Sequence, residues 1–404
     1  MFFLKNTFSE RFWEGLDKIR GLRNKCGMIE NTRYPSLRYM KPAAQRHIPH
    51  FVWEYLDSAT GYEVTKRRNV QALQNITMMP SILLGEIKPT THQTFLGHTY
   101  DLPFGIAPIG LSGAIWPDAE RILARQATRA NIPYTLSTVA CQTPETIGPI
   151  ADGKGWFQLY PPRDPKVRHD MLKRIGNAGF KTLVVTLDIP APSRRERQTR
   201  GGITQPPVLT PRIMAQIARC PRWTLGMAQF GRPEMPFVAS YGNNIRGLPT
   251  TEHLGYLLRI SPDAQYLTWL RDHWAGHLIV KGVLNPADCR RLESIGVDAL
   301  WVSNHAGRQF DAAPPTIEML PKIRNATKLP IVFDGGIESG LDMIRALALG
   351  ADFVMMGRAW HYALGALARK GPAHLTKILE LDLISNMSQL GLRDLQNCET
   401  ALWP

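Results

Sequence analysis

Cysteine is scarce in this 404-residue chain, and the little there is forms no pattern. Cys26, Cys141, Cys220, Cys289 and Cys398 are far apart and odd in number. No CxxC pair or Cys/His spacing marks a metal site, and no disulfide framework is visible, so a reduced, cytoplasmic compartment is expected. Long apolar runs are also missing: nothing approaches the roughly 18 consecutive apolar residues of a membrane span. The N-terminal MFFLKNTFSERFWEG lacks the positive, apolar, small-residue order of a secretion signal. Acidic residues are in deficit, 34 against 48 Lys and Arg, for a formal charge of +14. Such a balance attracts nucleic acid, an anionic membrane face or small anionic substrates. Nucleic acid is the weakest of these, because no zinc-finger, RRM, KH or helix-turn-helix signature accompanies the charge.

What remains is a globular composition, 44% hydrophobic and 20% charged, with 33 Gly and 31 Pro. From about residue 100 one pattern repeats: a short β-branched or aromatic run, polar or Gly residues, then a helical period. Eight strands are predicted at Phe104–Ala107, Tyr134–Ser137, Trp156–Leu159, Leu183–Thr186, Leu278–Val280, Leu300–Ser303, Ile331–Phe333 and Phe353–Met356. Helices are predicted between most of them, at Asp118–Ala130, Lys166–Ala178, Pro286–Ile295, Thr316–Asn325 and Gly340–Leu349. This alternation calls for parallel pairing with right-handed crossovers, and eight units close into a (β/α)8 TIM barrel. An open doubly wound sheet is disfavoured, because no GxGxxG follows the first strand.

Two segments break the pattern. Residues 1–33 read as an N-terminal extension, helical from the capping box Thr7-Phe-Ser-Glu10 and the one-sided Phe12, Leu16 and Ile19. Residues 34–404 read as the barrel domain. A long insert, about 194–250, follows strand four, and Arg194–Arg232 within it holds eight Arg against the single Glu196. Its middle, Pro211–Trp223, mixes Arg with Ile, Met and Trp, as a membrane-interface segment would. A barrel lid with solvated arginines fits the same composition.

Barrel active sites gather at the C-terminal strand ends. Strand six runs into Ser303-Asn-His-Ala-Gly-Arg-Gln-Phe-Asp311. That sets an imidazole suited to proton abstraction three residues from a guanidinium suited to carboxylate capture. Strand four ends in Thr186-Leu-Asp188, ahead of Arg194-Arg-Glu196, and strand five ends in Val280-Lys-Gly282. Strands seven and eight end in Asp334-Gly-Gly336 and Met356-Gly-Arg358, where backbone N–H groups form the usual barrel phosphate site.

Ser303–Asp311 closely resembles the SNHGGRQLD signature of the FMN-dependent α-hydroxy acid dehydrogenase/oxidase family. Leu136-Ser-Thr138, Trp156-Phe-Gln-Leu-Tyr160 and Ala346-Leu-Ala-Leu-Gly-Ala351 keep the family's order and spacing, and Phe51-Val-Trp-Glu-Tyr55 resembles its N-terminal helix. The likeness runs from about Tyr34 to the C-terminus. It implies FMN as cofactor and an L-2-hydroxy acid as substrate. By this resemblance His305 takes a substrate proton while Asp188 stabilises its imidazolium. Arg195 and Arg308 clamp the substrate carboxylate, with hydrogen bonds from Tyr55 and Tyr160. Lys281 lies at the flavin N1/O2 edge, and Ser137, Gln158 and Thr186 bind its polar edge. Backbone at Ala107, Pro108 and Ile109 packs near N5. Ser303, Asp334 and Gly335 complete the cofactor site, while Gly336, Gly357 and Arg358 hold the phosphate.

The departures from the family pattern are specific. Glu338 stands where most relatives carry a phosphate-binding Arg. Ala306 replaces a Gly, Phe310 a Leu, Ile109 a frequent Thr, and Ser58-Ala-Thr60 a Gly-Gly-Ala turn. Arg194 is expected to face solvent, Asp311 to fix the turn after it, and His273, His277 and His361 to be surface or packing residues. Gly110-Leu-Ser-Gly-Ala-Ile-Trp-Pro117 resembles mandelate dehydrogenases, and the insert with Gly231-Arg-Pro233 resembles bacterial L-lactate dehydrogenases. Both branches imply a quinone acceptor and peripheral attachment to the inner face of the cell membrane; the family implies a homotetramer. Val139 and Pro192, smaller than their usual counterparts, favour lactate, mandelate or a longer acid over glycolate. Two alternatives stay open: a peroxide-producing oxidase that uses oxygen, and a flavin-binding protein without turnover.

Overall fold

The eight apolar runs become eight parallel strands: β1 (Phe104–Ile106), β2 (Tyr134–Ser137), β3 (Gly155–Leu159), β4 (Thr182–Thr186), β5 (His277–Val283), β6 (Ala299–Val302), β7 (Ile331–Phe333) and β8 (Phe353–Met356). Each pairs with the next, and β8 returns to β1 with Val354 opposite Phe104, closing the barrel. The expected TIM barrel is therefore the fold. The structure is a computed structural model that describes residues 30–203, 208–242 and 260–403. The helix predicted around Phe12 and part of the insert lie outside the described residues.

Side chains alternate across a strand, so one parity faces the barrel axis. Trp156, Val184, Ile279, Trp301, Val332 and Phe353 share one buried cluster inside it. Two residues further along come Gln158, Thr186, Lys281, Ser303 and Asp334. The period of two thus places a polar layer directly on an apolar one, at the C-terminal mouth. Below, a hairpin that the sequence reading did not include, Gln93–Phe95 with His98–Tyr100, closes the opposite mouth. Phe95 stacks 5.7 Å from Trp156, and Tyr100 5.3 Å from Phe353. Its two-residue turn is Leu96-Gly97, both with positive φ, as tight hairpins require.

Three helices lead up to the C-terminal mouth: α1 (Leu37–His47), α2 (His50–Asp57) and α3 (Val64–Gln74). α1 packs on the helix after β8, Arg358–Leu367; a Cβ on Gly365 would lie 2.8 Å from that of Ala44, so only glycine permits the approach. The insert contributes α4 (Glu196–Gly201), α5 (Pro211–Ala218) and α6 (Pro221–Phe230). Thr210 caps α5 through the Ile213 N–H, with Pro211 at the first helical position. One expectation for this segment is corrected. Trp223 is no interfacial anchor: it is buried, its Nε1 donates to the Ala114 carbonyl at 3.1 Å, and its ring meets Phe51 edge-on. Ile213 is buried too. These apolar side chains fasten the insert to the barrel.

Candidate active site

A cavity of about 730 Å³ opens at the C-terminal mouth of the barrel. His305 lines it, on a turn where His305, Ala306 and Gly307 all adopt positive φ (53°, 51° and 75°). Ser303 Oγ accepts the His305 N–H and helps hold the turn. A Cβ on Gly307 would lie 2.7 Å from the Lys66 backbone nitrogen, which excludes any larger residue. Ala306, by contrast, carries a left-handed conformation that glycine adopts more easily, a local strain of about 1 kcal/mol at the site.

His305 Nδ1 lies 3.2 Å from Asp188 Oδ1, joining β6 to β4. Gly282 makes this possible, since a Cβ there would lie 2.6 Å from that of Asp188. Burial alone would raise the Asp188 pKa, but the charge and hydrogen bond of His305, with Lys281 behind, hold it below the ordinary value. Burial lowers the His305 pKa against the pull of Asp188, and Lys281 and Arg195 push the same way. Both shifts favour a neutral imidazole beside a carboxylate. With Nδ1–H directed at Asp188, the lone pair sits on Nε2.

Arg195 and Arg308 share the cavity wall, and neither has a carboxylate partner among the described residues. Arg308 donates to the carbonyls of Tyr55 (2.8 Å) and Ser58 (2.9 Å). Burial, reinforced by Arg195 and Arg358, pulls its pKa down to about 9. Arg195 opens α4 with φ 44° and is steadied by Ser193 Oγ. Tyr55 and Tyr160 line the same wall, and burial raises both phenols. The Tyr55 hydroxyl donates to the Gly110 carbonyl at 2.7 Å. Guanidiniums without a carboxylate partner, set beside an imidazole base, form a receptor for a small anion that is to lose a proton.

Beyond His305 the wall changes character. Lys281 Nζ donates to Ser303 Oγ and, at 2.7 Å, to Asp334 Oδ2, which also accepts Trp301 Nε1. Ala107, Pro108, Ile109, Gly335, Gly336, Gly357 and Arg358 continue the lining. Ser137, Gln158, Thr186, Asp188 and Ser303 are buried or half-buried just off it. Ser137 Oγ donates to Gln158 Oε1 at 2.9 Å, while Gln158 Nε2 has no partner among the described residues.

The sequence profile of the FMN-dependent dehydrogenases matches residues 44–404. This chain belongs to that family. An L-lactate dehydrogenase of Pectobacterium atrosepticum is 36% identical over 363 residues, 88% of this chain and 93% of the relative. Another, from Pseudomonas aeruginosa, is 35% identical over 361 residues, 88% and 94% of the two chains. A solved (S)-mandelate dehydrogenase, described as a monotopic membrane protein, superposes with a TM-score of 0.84 at 29% identity, covering 91% of this chain and 98% of that one.

The cavity of this FMN-dependent dehydrogenase fits its cofactor. Its volume suits a flavin mononucleotide. A cation, Lys281, faces it from the barrel mouth, an unpartnered amide donor waits at Gln158, and glycine loops meet Arg358 at one end. Two residues, Asp311 and Pro192, differ from their expected places. Asp311 does not fix the turn after it; its carboxylate accepts the N–H groups of Tyr62 and Thr65, tying down the start of α3. Pro192 is exposed and off the cavity, so only Val139 walls it. His361 is a buried polar link: its Nε2 pairs with Ser112 Oγ at 2.7 Å and its Nδ1 with the Gly357 carbonyl at 3.1 Å. His273 is exposed, and His277 half-buried at the start of β5. Arg194 faces solvent, as expected. The sequence reading missed Lys41, Lys66 and Arg67 in the cavity wall. No motif in the sequence marked them: Lys41 stands alone, and Lys66 and Arg67 belong to the short run Lys66-Arg-Arg68.

Proposed function

We propose that this enzyme oxidises an L-2-hydroxy acid of the lactate or mandelate class to its 2-oxo acid and delivers the electrons to a membrane quinone. The reading is carried by the His305–Asp188 pair facing one cavity with the carboxylate-free guanidiniums of Arg195 and Arg308. The two cations fix the substrate carboxylate, and so fix the α-carbon and hydroxyl against His305. Nε2 then takes the substrate proton, and the imidazolium that results lies against Asp188. Bound FMN supplies the two-electron acceptor. Lys281, partly balanced by Asp334, would set a cation beside a flavin bound in this cavity, which would favour the negative charge gained on reduction.

The insert supports the choice of acceptor. Val208, Leu209, Met214, Leu225 and Phe230 are exposed there, with Arg212, Arg219 and Arg222 exposed among them. Each such cation contributes about 1 kcal/mol near an anionic leaflet. Among the described residues no helix is long and apolar enough to cross a membrane, so the proposed contact is peripheral, on the inner face. A homotetramer belongs to the same proposal; the exposed Met79, Ile82 and Leu83 support a self-association surface.

An anaerobic visible spectrum of the FMN-loaded protein tests the chemistry. L-lactate or L-mandelate should bleach the flavin and the D-acids should not. Fast reoxidation by a quinone analogue with slow recovery in air supports the acceptor, whereas the reverse order makes the enzyme an oxidase. FMN-loaded protein that no 2-hydroxy acid bleaches refutes the substrate reading.

A further inference from the structure

One end of the cavity is lined by Lys41, Lys66, Arg67 and Arg358, together with the acid Glu338. Glu338 lies two residues beyond Gly336, on the loop where a cation would face a phosphate. An acid cannot fill that role, so a dianion held here needs its charge met from another element.

The packing of α3 identifies that element. A Cβ on Gly307 would sit 2.7 Å from the Lys66 backbone nitrogen, and one on Gly336 3.0 Å from the Asn69 backbone. α3 therefore lies directly on both glycine turns, and Lys66 reaches the wall from which Arg358 projects. The end of α2 shows how close these charges are. Arg358 donates to the carbonyls of Leu56 (3.1 Å) and Ser58 (3.0 Å), and Lys66 Nζ donates to that of Asp57 between them. Two cations on consecutive carbonyls of one helix end repel each other unless an anion joins them. Asp57 provides part of that anion, taking Lys66 at 3.1 Å and Lys41 at 3.2 Å. Glu63 takes Lys66 as well, at 3.4 Å, but it also holds Arg197 at 2.9 Å, so Asp57, Glu63 and Glu54 together face Lys41, Lys66, Arg67, Arg197 and Arg358. Burial, with Asp342 and Asp57 nearby, raises the Glu338 pKa against the pull of Lys41 and Arg358, which weakens its hold on these cations. The end of the cavity is left with an excess of positive charge and room for a dianion.

We propose that Lys66, braced by Asp57 and Lys41, replaces the missing loop arginine as the second cation on the FMN phosphate, beside Arg358. The inference rests on the proposed placement of the phosphate at this end of the cavity.

Riboflavin differs from FMN only by the phosphate, so the full-length protein reconstituted with each flavin isolates this contact. Binding is followed by quenching of flavin fluorescence. Lys66→Met should weaken FMN by at least about tenfold and riboflavin by less than about twofold; Lys66→Arg should retain most of the FMN affinity. Riboflavin binding also reports a folded cavity. Should Lys66→Met not fold, Lys66→Gln, which can still donate to the Asp57 carbonyl, should show the same selective loss. Equal weakening of both flavins, or of neither, overturns the proposal. A native chain with no preference for FMN over riboflavin defeats the phosphate placement itself. A native preference that survives removal of the Lys66 charge defeats the Lys66 assignment alone.

Discussion

Replacing Asp188 by Asn removes one charge and almost no volume, and so isolates what the carboxylate does for His305. The two groups are 3.2 Å apart, with side chains 20% and 13% exposed. Two unit charges at that separation interact by about 5 kcal/mol at an effective dielectric near 20. If about half of the imidazolium charge has developed at the barrier, the loss is roughly 2 to 3 kcal/mol, or about a hundredfold in rate. The direction of the pH effect follows from the same term. Asp188 favours the charged imidazole, so its removal lowers a His305 pKa that burial already holds below the ordinary value. The acid limb of the rate profile should therefore move to lower pH while the plateau falls. Stopped-flow measurement of anaerobic flavin reduction across pH reads both. Substrate affinity should change little, since Arg195 and Arg308 are untouched. A loss below tenfold, or an acid limb moving upward, would refute the assigned role.

Burial presses His361 down to about 4 from the ordinary 6.5. The unfolded chain binds that proton first, so the folded state should lose up to roughly 3 kcal/mol as pH falls through this window. His361→Leu should flatten urea midpoints between those pH values; an unchanged slope would exclude His361 as the source. Gly110→Ala places a Cβ 2.5 Å from Val139 Cγ2 and 3.6 Å from the Tyr55 hydroxyl. Val139 must then turn into the cavity, at a cost of about 1 to 3 kcal/mol for a bulky side chain. KM for mandelate should rise about tenfold more than KM for lactate, and equal changes would show that Val139 does not bound the substrate. Trp223→Ala removes a buried ring and its bond to Ala114, for about 3 to 5 kcal/mol. Thermal melting should show the loss, and limited proteolysis should cut the insert sooner; a native-like melt would mean the insert is fastened elsewhere.

The barrel was legible because its signals are local. Apolar runs spaced by helical periods specify strands and crossovers, and the period of two along Trp156–Gln158, Val184–Thr186, Ile279–Lys281 and Trp301–Ser303 already contains the step from apolar core to polar mouth. The family signature around His305 is equally local, which is why the base and its neighbouring arginine could be named from a single stretch. Edges were less so: β5 runs from His277 to Val283, beyond its apolar centre, because pairing with both neighbours extends it past the residues that hydrophobicity marks.

What the chain's own pattern could not decide is which distant groups meet. Asp188 and His305 are 117 positions apart, and their contact depends on barrel closure and on the missing Cβ of Gly282. Trp223 reads as an interfacial residue by composition and becomes a core residue because a pocket beside Ala114 and Phe51 receives it. Lys66 carries no motif of its own and becomes a cavity wall because α3 lies on two glycine turns from other strands. Periodicity and motif alone determined the barrel, its polar mouth and the chemistry of its base, since each is written within a few neighbouring residues. Closure decided the partner of that base, the hold on the insert and the charges around the phosphate end, since each is a contact between surfaces that no local pattern describes.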